Sequence, residues 1–255
     1  MIRLEHRGPV LAATLDRGLQ NTIDDALADA LQEALDQAQT LGVALLHLRS
    51  AGPHFCGGAD PARVARWLGD GGRDAIDADT RRWDDLFRNI EAAPTIVLAE
   101  VRGNALGAGL GLALACDLRI AAASARIGVP EVRVGLLPAG STVRRLVELA
   151  GTVTAQRLLL AGELIDGTDA YRVGMMHWVV DDEALAERTR DLAERTATQS
   201  SAALREAKGL LATSRGRDAR AAAAAERLAF SRLIADDEPR GRIQALLGRL
   251  AGRPS

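Results

Sequence analysis

VRGNALGAGLGLALACD, residues 101–117, is the stretch on which the fold of this chain turns. Glycines 103, 107, 109 and 111 lie between a valine-rich run and an aspartate, and Arg102 and Asp117 are its only charged residues. Each glycine inside a helix costs about 1 kcal/mol relative to alanine, so helix stability does not select them. A strand that runs into glycines and then into a helix brings backbone N–H groups close to an anion. From the residues alone three readings stand. A dinucleotide site asks for GxGxxG, whereas Gly107, Gly109 and Gly111 give GxGxG with Leu112 in the last glycine's place. A phosphate-binding P-loop asks for Gly-Lys-Ser/Thr, which is missing. The third reading is close packing of a buried helix.

A second glycine cluster, HFCGGAD (54–60), follows another buried strand, VALLHLR (43–49). Two strand-to-loop junctions, each offering one N–H, can converge on a single oxygen as an oxyanion hole. The strand TIVLAEVR (95–102) enters the opening stretch and DLRIAA (117–122) leaves it. IRLEH and PVLAATL read as a hairpin. Thr22 with Asp25 reads as a capping box for a helix whose stripe is Leu27, Leu31 and Leu35, closed by Gly42. Residues 74–93 form an amphipathic helix ended by Pro94, and Ser141 and Thr142 cap a helix that they begin. From about residue 153 helical patterns dominate, including almost everything from Asp181 to Ala235. The expected organisation is an α/β core over residues 1–195 and a helical region over 196–255.

Composition excludes several classes. A net charge of −2 and a pI of about 6.1 provide no basic field for nucleic acid or an anionic membrane, and Lys208 is the only lysine. Cys56 and Cys116 are too few for a disulfide framework, and no CxxC pair suggests a metal. MIRLEHRGPV lacks an apolar signal core, and no stretch is apolar enough to span a membrane. A cytoplasmic location is the expectation.

HFCGGAD, the 94–117 segment and RIGVPEVRVGLLPAG (126–140), in this order, resemble the enoyl-CoA hydratase/isomerase (crotonase) superfamily. The resemblance implies a spiral of ββα units with a C-terminal helical trimerisation region, and a homotrimer or dimer of trimers. It implies a coenzyme A thioester as substrate and no other cofactor or metal. Carried over by position, the backbone N–H groups of Ala59 and Ala108 would form the oxyanion hole. Cys56, Gly57, Asp60, Gly107, Gly111, Leu137 and Pro138 would line the substrate site. Asp60 also reads as an acceptor that stabilises its turn. Val64, Trp67, Leu68, Trp83, Leu86 and Phe87 are candidates for the acyl wall, although aromatic and leucine residues at helical spacing are usually core.

Hydratases of this family use two glutamates. The second matches Glu131; the first matches Gly111, so one carboxylate is missing. A single glutamate suits transfer of a proton between C2 and C4 of an enoyl thioester, which is double-bond isomerisation. The alternatives are a hydratase or dehydratase acting on an aromatic or polyketide-derived acyl-CoA, and a binding or scaffold homologue. Gly111→Glu is expected to confer hydration. The tail also departs from the family pattern, with Ala245 where phenylalanine is usual and Gly248 where lysine is common.

Overall fold

Ile96–Val101, the run that leads into the glycines, is buried at every position, as a strand covered on both faces should be. The computed structural model describes residues 1–69, 72–214 and 218–251. Chain order runs β1 (Ile2–Arg7), β2 (Val10–Leu15), α1 (Asp25–Thr40), β3 (Leu45–Ser50), α2 (Pro61–Leu68) and α3 (Gly72–Ala92). Then come β4 (Ile96–Val101), β5 (Asn104–Leu106), α4 (Ala108–Ala115), β6 (Leu118–Ala122) and β7 (Arg126–Gly128). A 3-10 turn at Pro130–Val134 precedes α5 (Thr142–Leu160), β8 (Leu164–Ile165), α6 (Gly167–Arg172), β9 (Trp178–Val180) and α7 (Leu185–Ala197). The last described elements are α8 (Ser201–Ser214), α9 (Ala219–Ile234) and α10 (Asp237–Ala251). The chain divides into two compact units, Met1–Ala197 and Thr198–Ser255. Residues 215–217, within the stretch read as helix, lie outside the described residues.

The larger sheet has the order β1-β2-β3-β4-β6-β9. β1 and β2 form the expected hairpin, and every later pairing in that sheet is parallel. The smaller sheet, β5-β7-β8, positions the chemistry. β5 and β7 run parallel with Leu106 opposite Gly128, so the start of α4 and the 3-10 turn beyond β7 emerge side by side. Asp117 accepts from Val97 N at 2.8 Å and fixes the start of β4. Arg119, 3% exposed, donates to the Ala113, Leu114 and Cys116 carbonyls and so satisfies the C-terminal end of α4.

Two caps differ from the sequence expectation. α1 is capped by Asp24, whose carboxylate accepts from Leu27 N, because Thr22 instead donates to Asp60 Oδ2 at 3.2 Å. α5 has no side-chain cap. Ser141, at φ 49°, donates to Asp84 at 2.8 Å, and Thr142 donates to Ala139 O at 2.6 Å. Thr22 and Ser141 are each taken by a distant partner, and Thr142 by a carbonyl three residues back. Leu27, Leu31 and Leu35 are buried, and α3 stops at Ala92 ahead of Pro94.

Candidate active site

α4, AGLGLALA, is buried at every position, and its small residues let it approach the HFCGGAD loop. A Cβ on Gly109 would come within 2.8 Å of both the carbonyl carbon and the sulfur of Cys56. The two junctions are tied by backbone bonds: Cys56 N donates to Asn104 O and Leu106 N donates to Cys56 O, both at 3.0 Å. The same loop is held on its other side, where Ile23 N donates to Gly58 O at 2.7 Å and Asp60 N donates to Ile23 O at 3.1 Å.

These pairings skip two donors. Among the described residues no acceptor is paired with the N–H of Ala59 or of Ala108. They are neighbours in space, since a Cβ on Gly58, the residue before Ala59, would stand 3.5 Å from Ala108 N. Ala108 N is also the first N–H of α4, where the helix dipole presents partial positive charge. Two unpaired N–H groups at adjacent loop ends are what an oxyanion hole requires.

Glu131 stands beside them. It is the second residue of the 3-10 turn, set by Pro130 at its start and by the left-handed Gly135 at its end. Its carboxylate lies against Gly107, where an added Cβ would be 2.8 Å from Cδ and would overlap Oε1. Gly107 is at φ 54°, so this position needs glycine for both backbone and space. Glu131 Oε2 is buried and has no hydrogen-bond partner. Burial pushes the carboxyl above the ordinary carboxylate range.

The direction of that shift makes a prediction. Activity that needs ionised Glu131 is lost as pH falls through a pKa above the usual glutamate value of about 4.3, so the acid limb of kcat/KM lies above that value. Because the folded-state pKa is raised, the charged form destabilises the fold. Glu131→Gln should therefore raise the melting temperature near neutral pH. The gain should shrink as pH falls and the wild-type carboxyl protonates. An unchanged melting temperature across this range contradicts the buried, unpaired charge.

Of the other residues picked out in the sequence, Gly57 donates its N–H to Gln20 O at 2.7 Å, and its Cα faces the Gln20 side chain. Cys56 is fully buried, with its thiol against Gly109 and pushed up to about 12 by burial. It supports the loop from beneath, and its side chain offers no surface to a ligand. The Asp60 carboxylate is occupied as the cap of α2, accepting from Ala62 N at 2.8 Å and from Arg63 N at 3.3 Å. Leu137 is 75% exposed and Pro138 half-buried, so both are open to solvent beyond the 3-10 turn that carries Glu131. Leu68 is likewise exposed, while Trp83, Leu86 and Phe87 are buried. His54 Nδ1 accepts from Asn104 N at 3.1 Å and braces the loop.

Gly111 differs most from expectation. The space a side chain would take is filled: a Cβ there would overlap Thr142 Oγ1 and approach Phe87 Cε2 to 3.1 Å. The same ring abuts Gly140, whose Cβ would be 2.7 Å from Phe87 Cδ2. Gly111→Glu therefore does not simply add a carboxylate. It first has to displace the Thr142 hydroxyl from Ala139 O. Phe87, a candidate for the acyl wall, and Thr142, expected as a helix cap, instead pack on Gly111, and the paired bare positions Gly111 and Gly140 were the available signal for that contact. Among the described residues no group of three or more His, Cys, Asp or Glu side chains forms a metal site, and no helix is long and apolar enough to cross a membrane.

Comparison with known proteins agrees with this geometry. The 2,3-dehydroadipyl-CoA hydratase of Escherichia coli is 32% identical over 242 residues, covering 93% of this chain and 92% of that protein. A probable enoyl-CoA hydratase of Bacillus subtilis is 31% identical over 193 residues, 75% of this chain and 74% of that one. The crystal structure of an enoyl-CoA hydratase from Bacillus anthracis superposes with a TM-score of 0.90 at 28% identity, covering 97% of this chain and 96% of the other. That overlap makes the architecture the crotonase-like spiral of α/β units with C-terminal helices. The enoyl-CoA hydratase/isomerase family model matches residues 5–250, and this chain belongs to that family, as an enzyme of the hydratase/isomerase type.

Proposed function

We propose that the protein shifts the double bond of an enoyl-CoA thioester, with Glu131 as the only proton-transferring side chain. Glu131 takes a proton from C2 of a 3-enoyl thioester. The thioester oxygen gains negative charge and is met by the Ala59 and Ala108 N–H groups, each such donor being worth about 3 kcal/mol of barrier. The same carboxyl then returns the proton to C4, and the conjugated 2-enoyl thioester leaves. The observation that carries the reading is the filled space at Gly111, where Thr142 and Phe87 occupy the place of a second carboxylate.

Hydration is the second reading, and Thr142 favours it. Its hydroxyl donates to Ala139 O, which leaves lone pairs to accept from a water beside the substrate. Wild-type enzyme given 3-enoyl and 2-enoyl thioesters separates the two readings. Isomerisation appears as a gain of conjugated-thioester absorbance from the first, and hydration as a loss from the second. The proposal expects the gain to dominate and Thr142→Val to preserve it. Efficient hydration that disappears in Thr142→Val supports the second reading.

For assembly we propose the homotrimer or dimer of trimers. Leu211, Leu228, Phe230, Ile234 and Leu247 of the second unit are all more than half exposed and support a partner surface there. A monomer by light scattering contradicts this assembly.

A further inference from the structure

Ser141 holds a left-handed backbone, φ 49°, directly after the left-handed Gly140 at φ 71°. Asn21 is the only other non-glycine residue at positive φ among the described residues, and asparagine enters that region more readily than serine does. Such strain persists only where the surrounding contacts over-determine it, and it collects at working sites. Three side chains hold this turn. Ser141 donates to Asp84, Thr142 donates to Ala139 O, and the next carbonyl, that of Gly140, accepts from Arg145 Nη1.

Arg145 reaches furthest of the three. It is 1% exposed, a depth at which an arginine is found only when paired. Its Nε and Nη2 donate to the two Glu91 oxygens at 2.7 and 2.9 Å, a planar two-point contact that fixes the guanidinium. The guanidinium then lies over the Phe87 ring, 5.6 Å from its centroid. Phe87 is fully buried, and its Cε2 edge is what a Cβ on Gly111 or on Gly140 would meet. One clamp, Glu91 with Arg145, thus holds both the ring and the turn that fill the space at Gly111.

Gly111 is one helical turn from the base. Its N–H donates to Gly107 O at 3.0 Å, and the Glu131 carboxyl rests on Gly107. The α4 face next to Glu131 is therefore closed by Thr142 and by the edge of Phe87, both fully buried. Water on that side would exchange with a proton held on the carboxyl, and its exclusion prevents such leakage.

We propose that Arg145 is a positioning residue for the proton transfer. Held by Glu91, it keeps Phe87 and the Gly140 turn on Gly111, and so keeps water from the Glu131 carboxyl while that group holds the migrating proton. The inference rests on the isomerisation reading of the site. In the step it protects, the C2–H bond breaks and its electron pair delocalises toward the thioester oxygen. The same proton then forms the new C–H bond at C4.

The test uses the full-length protein and a 3-enoyl-CoA deuterated at C2, converted once in ordinary water. The deuterium at C4 of the 2-enoyl product is read by NMR. Arg145→Met removes the guanidinium. Glu91 is 33% exposed and keeps Arg144 at 3.1 Å, so no isolated buried charge is left behind. The fraction of product labelled at C4 is expected to fall several-fold relative to wild type. That fraction is a ratio over product molecules, so a variant that is merely less stable forms product more slowly and leaves it unchanged. If Arg145→Met does not fold, Arg145→Lys replaces it. Lysine keeps the charge but lacks the planar fork that binds both Glu91 oxygens and the Gly140 carbonyl, and the same loss of label is expected. A wild-type label fraction in the folded variant overturns the inference and leaves the isomerisation reading standing. If the wild-type enzyme gives no 2-enoyl product, or one without label at C4, the isomerisation reading fails and takes the inference with it.

Discussion

Glu131→Gln lowers turnover about 10²- to 10⁴-fold, the range lost when a positioned acid–base group is removed. Affinity for the thioester stays within a few-fold. The amide has nearly the shape of the carboxylate, so the contact with Gly107 survives, and the Ala59 and Ala108 N–H groups still meet the thioester oxygen. On the proposed mechanism, what disappears is the ability to accept the C2 proton and to deliver it to C4. The same substitution stabilises the fold near neutral pH, because it removes a charge that burial disfavours and whose Oε2 has no hydrogen-bond partner. Lost rate together with gained stability is the combination expected when strain is kept at a site for function. Steady-state kinetics with a 3-enoyl thioester, beside equilibrium binding of a saturated one, measures both. Wild-type turnover in the variant contradicts the role given to Glu131.

Gly109→Ala has the second large effect, and it arises through geometry alone. Alanine is the better helix former by about 1 kcal/mol, so a local view expects a gain. The new methyl instead meets the backbone of Cys56, which is fixed by bonds to Asn104 and Leu106 and cannot rotate away as a side chain would. Such overpacking costs about 1–3 kcal/mol of stability. It also pushes α4 away from the loop and separates the Ala108 N–H from that of Ala59. Loss of one oxyanion donor is worth about 3 kcal/mol, so kcat should fall on the order of 100-fold with a lowered melting temperature. A variant as stable and active as wild type contradicts the close approach of the two junctions.

The sequence made the strands and the glycine junctions legible because their signals are local. Ile96–Val101 is apolar at every position but Glu100, the hairpin is short, and Leu27, Leu31 and Leu35 keep a helical period. The pairing of Gly107 with Glu131 follows from the parallel register of β5 and β7, which the sequence does not contain. The misread caps have the same origin. Thr22 is drawn away by Asp60, 38 residues on, and Ser141 by Asp84, 57 residues back, so a local motif lost to a distant partner. Gly111 was legible as a missing carboxylate but not as an occupied space, because its occupants come from α3 and the start of α5. Cys56 shows the limit of transferring roles by position, because its side chain is sealed beneath the loop.

The central claim is that one carboxylate, Glu131, carries a single proton from C2 to C4 under an oxyanion hole. The most direct measurement uses a 3-enoyl-CoA deuterated at C2, converted in ordinary water under single-turnover conditions, with the product analysed by NMR. A single shuttling carboxyl delivers part of the label to C4 before it exchanges with solvent, so deuterium should appear at C4 of the 2-enoyl product. A product whose C4 carries only solvent hydrogen, or one that is the 3-hydroxyacyl thioester, contradicts the account.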